Sequence, residues 1–134
     1  MLRPDERSDA RERALYLLYE AHSKGIEPSA TIELQVIAPD ELTQELVLGV
    51  GRTMAQLDAH IEQRAKGWTL ARMPVLDLNV MRLGVFELLE RTDVPTAVVL
   101  NEAVELAKRF STDDSGRFVN GVLAAVANDV RNSA

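Results

Sequence analysis

The stretch TAVVLNEAVELAKRF, residues 96–110, decides the fold class. On a helical wheel its apolar side chains fall on one arc and most of its polar side chains fall on the opposite face, which is typical of an amphipathic helix. The apolar arc consists of Val99, Leu100, Ala103, Val104, Leu106, Ala107 and Phe110. Similar three- and four-residue spacing recurs along the chain, and no stretch shows the sustained alternation of a strand. The sequence therefore predicts an all-α protein.

Four further segments have the length and the apolar spacing of helices. Their approximate ranges are 8–23, 40–66, 75–92 and 115–131. Ser8 is the expected N-cap of the first helix, and Gly25 is its expected end. A short piece around 29–37 and a turn at 69–73 complete a compact protein of six or seven helices.

No repeat, low-complexity tract or flexible linker divides the chain, so residues 1–134 are expected to form a single domain. The segment 67–74 is the expected waist between an N-terminal half, about 1–67, and a C-terminal half, about 74–134. Asp113, Asp114 or Ser115 is the expected cap of the last helix. The two adjacent aspartates could also form a metal or acid–base pair, but capping explains them without chemistry.

The composition excludes several kinds of protein. The chain has no cysteine, which rules out a disulfide, a thiolate zinc site and a cysteine nucleophile. No apolar run approaches the ~20 residues that span a bilayer. The N-terminal residues 1–13 lack the apolar core of a secretory signal. We therefore expect a cytoplasmic protein without a membrane association.

Charge is unevenly distributed along the chain. The formal net charge is −6, which disfavours a general binder of nucleic acids. Residues 1–25 contain five basic and five acidic side chains, whereas residues 26–134 contain 16 acidic and 10 basic ones. An anionic partner would therefore meet the least repulsion at the N-terminal end.

No set of side chains in the sequence has the pattern of a catalytic or metal site. His22 and His60, the two histidines, have no other histidine at metal-ligand spacing. No combination of nucleophile, base and orienting group is evident. The sequence predicts a protein that is not an enzyme, with no metal and no cofactor.

The first helix carries two tyrosines outside its apolar arc. Tyr16 and Tyr19 lie one turn apart, and Arg13 precedes Tyr16 by one turn. Aromatic side chains beside guanidinium groups suit stacking on unpaired RNA bases, with arginines contacting phosphates. Packing of the tyrosines on a neighbouring helix explains the pattern about as well, so both interpretations stay open on these residues alone.

Four stretches taken in order carry a resemblance to the NusB family of transcription antitermination factors. They are ARERALYLLYEA (10–21), MRLGVFELLERTDVP (81–95), VLNEAVELAKRF (99–110) and DDSGRFVNGVLAAV (113–126). The resemblance implies two small helical bundles without catalytic activity. It also implies pairing with ribosomal protein NusE and binding of the single-stranded boxA element of rRNA leader transcripts. There the pair would act with elongating RNA polymerase and other Nus factors, and support rRNA maturation.

The resemblance also implies roles for individual residues. The RNA-binding positions of the family fall on Arg7, Arg11, Arg13, Tyr19, Asp114 and Phe118, and the wheel adds Tyr16. The position that contacts the protein partner falls on Asp77. Weaker candidates for partner binding on the same predicted helix are Glu87 and Arg91.

The N-terminal arm departs from the usual basic character of the family, since Asp5, Glu6, Asp9 and Glu12 are interleaved with its arginines. We therefore expect weak RNA binding without a partner. One alternative is a helical adaptor that does not bind RNA itself. A second is a fragment of an RNA cytosine methyltransferase, which would require a catalytic domain that these residues do not contain. A homodimer that covers the first helix is a further hypothesis.

Overall fold

The computed structural model describes residues 2–131, and this part of the chain is helical throughout, without a strand. Six helices follow one another, with one 3₁₀ turn before the fourth. They are α1 (Pro4–Lys24), α2 (Pro28–Glu33), α3 (Glu41–Arg64), the 3₁₀ turn Leu70–Arg72, α4 (Val75–Glu90), α5 (Thr96–Phe110) and α6 (Asp113–Arg131). The all-α prediction is confirmed, and the bounds of α5 match those expected from its apolar arc.

The predicted start of the first helix is wrong, because α1 begins four residues before Ser8. Arg3 occupies the N-cap, and Pro4 opens the helix, where its fixed φ and missing N–H are no disadvantage. Ser8 lies inside the helix, and its hydroxyl donates to the Pro4 carbonyl oxygen at 3.1 Å. The predicted end is confirmed. Gly25 adopts φ 65°, and its N–H reaches the Ala21 and His22 carbonyl oxygens.

The start of α6 also differs from expectation. Thr112 is the capping residue, since its hydroxyl oxygen accepts the backbone N–H of Ser115 at 3.0 Å. Asp113, Asp114 and Ser115 all lie within the first turn of α6, so none of them is the cap. The two aspartates still place negative charge at the positive end of the helix dipole.

Helix α3 contains a kink that its apolar spacing did not predict. Thr53 departs from helical geometry, with φ −117° and ψ 17°, and its hydroxyl donates to the Gly49 carbonyl oxygen at 2.8 Å. The ring of Phe86 from α4 fills the space that a side chain at Gly49 would need. The glycine therefore allows α3 and α4 to approach closely, one turn before the kink.

Helix α4 forms the centre of the molecule and packs against α1, α3, α5 and α6. Burial extends almost all the way round it, as expected of a helix enclosed by others. One cluster of buried apolar residues runs from α1 to α6, including Leu15, Leu46, Met81 and Leu123. The division into halves at 67–74 stays a prediction. No helix among residues 2–131 combines the length and apolar character needed to cross a membrane.

The side chain of Arg131, the last residue of α6, connects α6 to the end of α4 and to the segment between α4 and α5. The Arg131 guanidinium donates to the carbonyl oxygens of Glu87, Leu88, Arg91 and Val94, at 2.6–3.1 Å. The last carbonyls of a helix have no partner within it. One cation therefore satisfies the C-terminal end of α4 and joins it to α6.

Replacing Arg131 with alanine is expected to lower the free energy of unfolding by about 2–3 kcal/mol, because several partly buried carbonyls lose a charged donor. Urea unfolding followed by circular dichroism measures this change. Arg117→Ala is the matched control. Its exposed pair with Asp114 predicts a change within about 0.5 kcal/mol. Equal losses in the two variants would contradict the special role of Arg131.

Candidate nucleic-acid and protein interface

The two tyrosines of α1 lie on its accessible side. Tyr16 is 47% exposed and Tyr19 is 44% exposed. The Tyr16 ring meets the Phe110 ring of α5 edge-on, with centroids 5.4 Å apart. Tyr19 has no ring contact or hydrogen bond with the rest of residues 2–131. Both interpretations of the pair therefore apply in part, since Tyr16 packs on a neighbouring helix while Tyr19 is free to stack.

A basic residue at the end of α5 joins this surface. The Arg109 guanidinium lies 5.1 Å from the centroid of the Phe110 ring and 2.9 Å from a Glu12 carboxylate oxygen. Arginine over an aromatic face is a favourable cation–π arrangement. The wheel assigned Arg109 only to the polar face of its helix, and the adjacent phenylalanine was the one signal that could have drawn attention to it.

Arg11 is buried, in contrast to the other arginines of the arm. Its side chain is 4% exposed, and its Nε and Nη2 atoms donate to the two carboxylate oxygens of Glu87 at 2.7 and 2.9 Å. A Glu102 oxygen lies 3.6 Å from its Nη1 atom. Burial alone would lower the pKa of Arg11, but the hydrogen bonds and charge of Glu87, followed by the charge of Glu102, raise it above its ordinary value. Arg11 therefore stays charged.

Arg11 pairs with Glu87, although the sequence predicted RNA binding for Arg11 and partner binding for Glu87. Glu87 is itself 3% exposed, and its second neighbour is Arg91, whose Nε atom lies 3.5 Å away. Both side chains are almost completely buried. The pair instead attaches α1 to α4 in the interior.

The remaining basic side chains of the arm have different surroundings. Arg3 pairs with Glu6 at 2.8 Å, and Arg13 donates to the Gln35 amide oxygen at 3.2 Å. The Arg7 guanidinium has no hydrogen bond or ion pair within residues 2–131. It borders a narrow groove beside Asp93 and Glu102. Of the arginines predicted to bind RNA, Arg7 and Arg13 are therefore the two that form no ion pair with a carboxylate within residues 2–131.

One slot beside α6 is bordered by Asp77, which was predicted to bind the protein partner, and by Asp114 and Phe118, which were predicted to bind RNA. Asp77 comes from the first turn of α4, and Asp114 and Phe118 come from the first turns of α6. They border a cavity of about 200 Å³. Its lining consists of Trp68, Pro74, Asp77, Thr112, Asp114, Ser115 and Phe118. Sequence reasoning missed Trp68, although a lone tryptophan at the break between two helices was a usable signal.

Two aromatic rings border the slot, and its accessible lining is mostly apolar. The Trp68 and Phe118 rings have centroids 6.0 Å apart and are inclined at 57°. Asp77 is 3% exposed, and its buried Oδ1 atom has no hydrogen-bond partner within residues 2–131. Asp114 is exposed and pairs with Arg117 one turn later. Among residues 2–131 no group of three potential metal ligands occurs, and the slot offers only two carboxylates.

Arg91 does not belong to this slot. It lies near the opposite end of α4 from Asp77, about 21 Å away along a regular helix. Its Nη1 atom donates to Glu45 at 3.2 Å. The three residues assigned to partner binding therefore do not form one site. Asp77 borders the slot, whereas Glu87 and Arg91 belong to a chain of ion pairs that runs from Arg11 to Glu45.

Several known proteins are similar to this chain over most of its length. A model described as the NusB family matches residues 8–128. The transcription antitermination protein NusB of Saccharopolyspora erythraea is 49% identical over 127 residues, which cover 90% of this chain and 86% of that protein. The chain belongs to the NusB family. Membership confirms the family resemblance and the expectation of a non-catalytic protein.

Solved NusB structures have the same arrangement of helices. T. maritima NusB superposes with a TM-score of 0.83 at 29% identity, covering 92% of this chain and 91% of that one. A crystal structure of the antitermination factors NusB and NusE in complex with dsRNA gives a TM-score of 0.80 at 28% identity. It covers 96% of this chain and 99% of the matched chain. The all-α fold is therefore shared over nearly the full length.

Replacing Arg11 with alanine is expected to lower the free energy of unfolding by about 3 kcal/mol, because buried Glu87 would lose both of its hydrogen bonds and keep only the more distant Arg91 beside it. The double variant Arg11→Met, Glu87→Leu should regain most of this loss, since it removes both charges. Chemical unfolding measures both changes. Arg13→Ala, on the surface of the same helix, is the control and should change stability little. A mild effect of Arg11→Ala would show that the pair contributes little to holding α1.

Proposed function

We propose that this NusB-family chain is a cytoplasmic antitermination factor that binds single-stranded boxA-type RNA together with a NusE protein. On rRNA leader transcripts the pair joins elongating RNA polymerase and other Nus factors, supports processive transcription and promotes rRNA maturation. The observation that carries the proposal is the likeness, over nearly the whole chain, to NusB in a complex with NusE and RNA. The exposed tyrosines of α1 support it independently.

The proposed RNA surface runs along the exposed side of α1 towards the end of α5. Tyr19 offers a free aromatic ring for base stacking, and Tyr16 offers the part of its ring that Phe110 leaves open. Arg7 and Arg13 supply guanidinium groups for phosphate contacts. This division of roles between stacking and positioning suits an unpaired strand.

Arg11 has a different role in this proposal. Its donors are directed at Glu87 inside the protein, so it positions α1 and does not contact phosphate. Glu87 likewise acts as the internal anchor of α1. The RNA-facing charge of the arm is therefore smaller than the sequence pattern indicated.

RNA binding by the chain alone is expected to be weak for the same reason. Glu6 neutralises Arg3, and Glu12 neutralises Arg109 beside the tyrosines. Phosphate neutralisation by cations drives most RNA affinity through counterion release. A basic partner bound next to α1 would supply the charge that this surface lacks.

Titration of a fluorescently labelled boxA-type RNA, with and without NusE, tests the function directly. We expect weak binding by the chain alone that tightens when NusE is present. In the complex Tyr19→Ala should weaken RNA binding by about tenfold, because stacking on an aromatic side chain is lost. Leu48→Ala, which changes an exposed apolar side chain of α3, is the matched control and should have no effect.

The salt dependence of binding separates phosphate contacts from positioning. Arg13→Ala should reduce the slope of log K against log salt concentration by about one, since one phosphate contact is lost. The stable double variant Arg11→Met, Glu87→Leu should leave that slope unchanged. A reduced slope in the double variant would instead make Arg11 a phosphate contact.

The acidic arm favours a second candidate function, that of a protein-interaction adaptor without RNA binding of its own. Four carboxylates lie among the arginines of residues 3–13 in a chain of net charge −6. The same titration decides between the two. Two results would favour the adaptor. One is the absence of RNA binding both with and without NusE. The other is undiminished RNA binding by the complex with NusE when Tyr19 is replaced, because the partner would then bind the RNA.

A further inference from the structure

Arg13 lies among carboxylates but forms an ion pair with none of them within residues 2–131. It borders a groove of about 380 Å³ between α1 and the start of α3. The guanidinium donates to the neutral amide oxygen of Gln35 at 3.2 Å. Its positive charge is therefore not neutralised by a direct partner. Four carboxylates border the same groove, those of Glu6, Asp9, Glu12 and Asp40.

Three of these carboxylates have partners elsewhere in the protein. A Glu6 oxygen accepts a hydrogen bond from Arg3 at 2.8 Å. A Glu12 oxygen lies 2.9 Å from the Arg109 guanidinium. The Asp40 carboxylate caps α3, where it accepts a backbone N–H of the first turn at 3.1 Å. These three groups are therefore engaged in contacts of their own.

Asp9 is the remaining competitor for Arg13. It lies one turn earlier on α1, at the i, i+4 spacing at which an aspartate and an arginine pair on a helix surface. The exposed Asp9 carboxylate has no hydrogen bond or ion pair of its own within residues 2–131. Arg13 nevertheless donates to Gln35. The direction of the guanidinium is therefore set by the amide and not by the nearby negative charge.

Gln35 is itself held in place by the end of α2. Its Nε2 atom donates to the Thr31 carbonyl oxygen at 2.9 Å. Thr31 is fully buried, and its hydroxyl donates to the Pro28 carbonyl oxygen at 2.6 Å. Pro28 in turn lies against Gly51 of α3, where an added Cβ would be 3.1 Å from the proline ring. The amide therefore has a fixed support on the side away from Arg13.

The two contacts of Gln35 require an amide. The side chain must donate to a carbonyl on one side and accept from a guanidinium on the other, and glutamine does both without a charge. A glutamate at this position would have no donor for the Thr31 carbonyl. It would also neutralise Arg13, as Glu12 neutralises Arg109.

We propose that Gln35 is a positioning residue for RNA binding, whose neutral amide holds Arg13 away from Asp9 and directs the charged guanidinium to an RNA phosphate. The inference rests on the proposed function and adds a residue to its surface. A guanidinium has five N–H donors, and Gln35 uses one of them. The others stay available for phosphate oxygens. Gln35 itself does not contact the RNA in this arrangement.

The first experiment measures the affinity of the complex with NusE for labelled boxA-type RNA at several salt concentrations. Gln35→Glu should weaken binding by about fivefold and reduce the slope of log K against log salt concentration by about one, because the new ion pair removes Arg13 from counterion release. Gln63→Glu adds the same charge at the far end of α3 and is the matched control. It should leave the slope unchanged. Both variants should keep the helical content and NusE affinity of the wild type.

The second experiment tests whether Gln35 acts through Arg13. In the Arg13→Ala background, Gln35→Glu should not reduce the slope further, because no arginine is left to neutralise. Gln35→Leu removes the amide and should also reduce the slope, since Arg13 then pairs with Asp9. Asp9→Asn should restore the slope of Gln35→Leu by about one and leave that of the wild type unchanged. A purely structural effect of Gln35→Leu would not be reversed by a substitution on α1.

The outcomes separate this inference from the proposed function. Absence of RNA binding by the wild-type complex would contradict the function itself. If the wild type binds RNA, equal slopes for Gln35→Glu and Gln63→Glu would overturn only the role of Gln35. The same conclusion would follow if Gln35→Glu reduced the slope equally with and without Arg13, or if Asp9→Asn failed to restore Gln35→Leu.

Discussion

The ion pair between Arg11 and Glu87 determines where the exposed surface of α1 lies. Two hydrogen bonds of 2.7 and 2.9 Å connect the middle of α1 to α4, the helix that every other long helix packs against. Because both side chains are buried, the pair tolerates little displacement. Tyr16 and Tyr19 follow Arg11 on the same rigid helix. Their position relative to α5 is thus set by a contact in the interior.

The same pair explains why an arginine-rich arm yields so little accessible positive charge. A guanidinium in the interior needs a carboxylate beside it, and this fold supplies Glu87 and, more distantly, Glu102. Other arginines near the arm pair with Glu6 and Glu12 on the surface. Ion pairs within the protein therefore take up part of the positive charge of the arm. In the proposed function, recognition of RNA therefore depends on aromatic stacking and on charge that a partner supplies.

The sequence predicted most of the fold because apolar spacing records burial directly. The helix at 96–110 has one buried and one solvated face, and its predicted bounds match the structure. Expectations failed where a competing local effect decided the outcome. Pro4 opens α1 ahead of Ser8, and Thr112 caps α6 in place of its three neighbours. The kink at Thr53 leaves the apolar spacing of α3 intact, so periodicity could not indicate it.

The site was less predictable, since the surroundings of a charged side chain depend on residues far away in sequence. Arg11 resembles its exposed neighbours in the sequence, and only the fold brings Glu87, 76 residues later, into contact with it. Asp77 shows the opposite case, since its buried Oδ1 atom has no hydrogen-bond partner among residues 2–131. The sequence around each residue does not distinguish the two cases, because burial and hydrogen-bond partners depend on the fold.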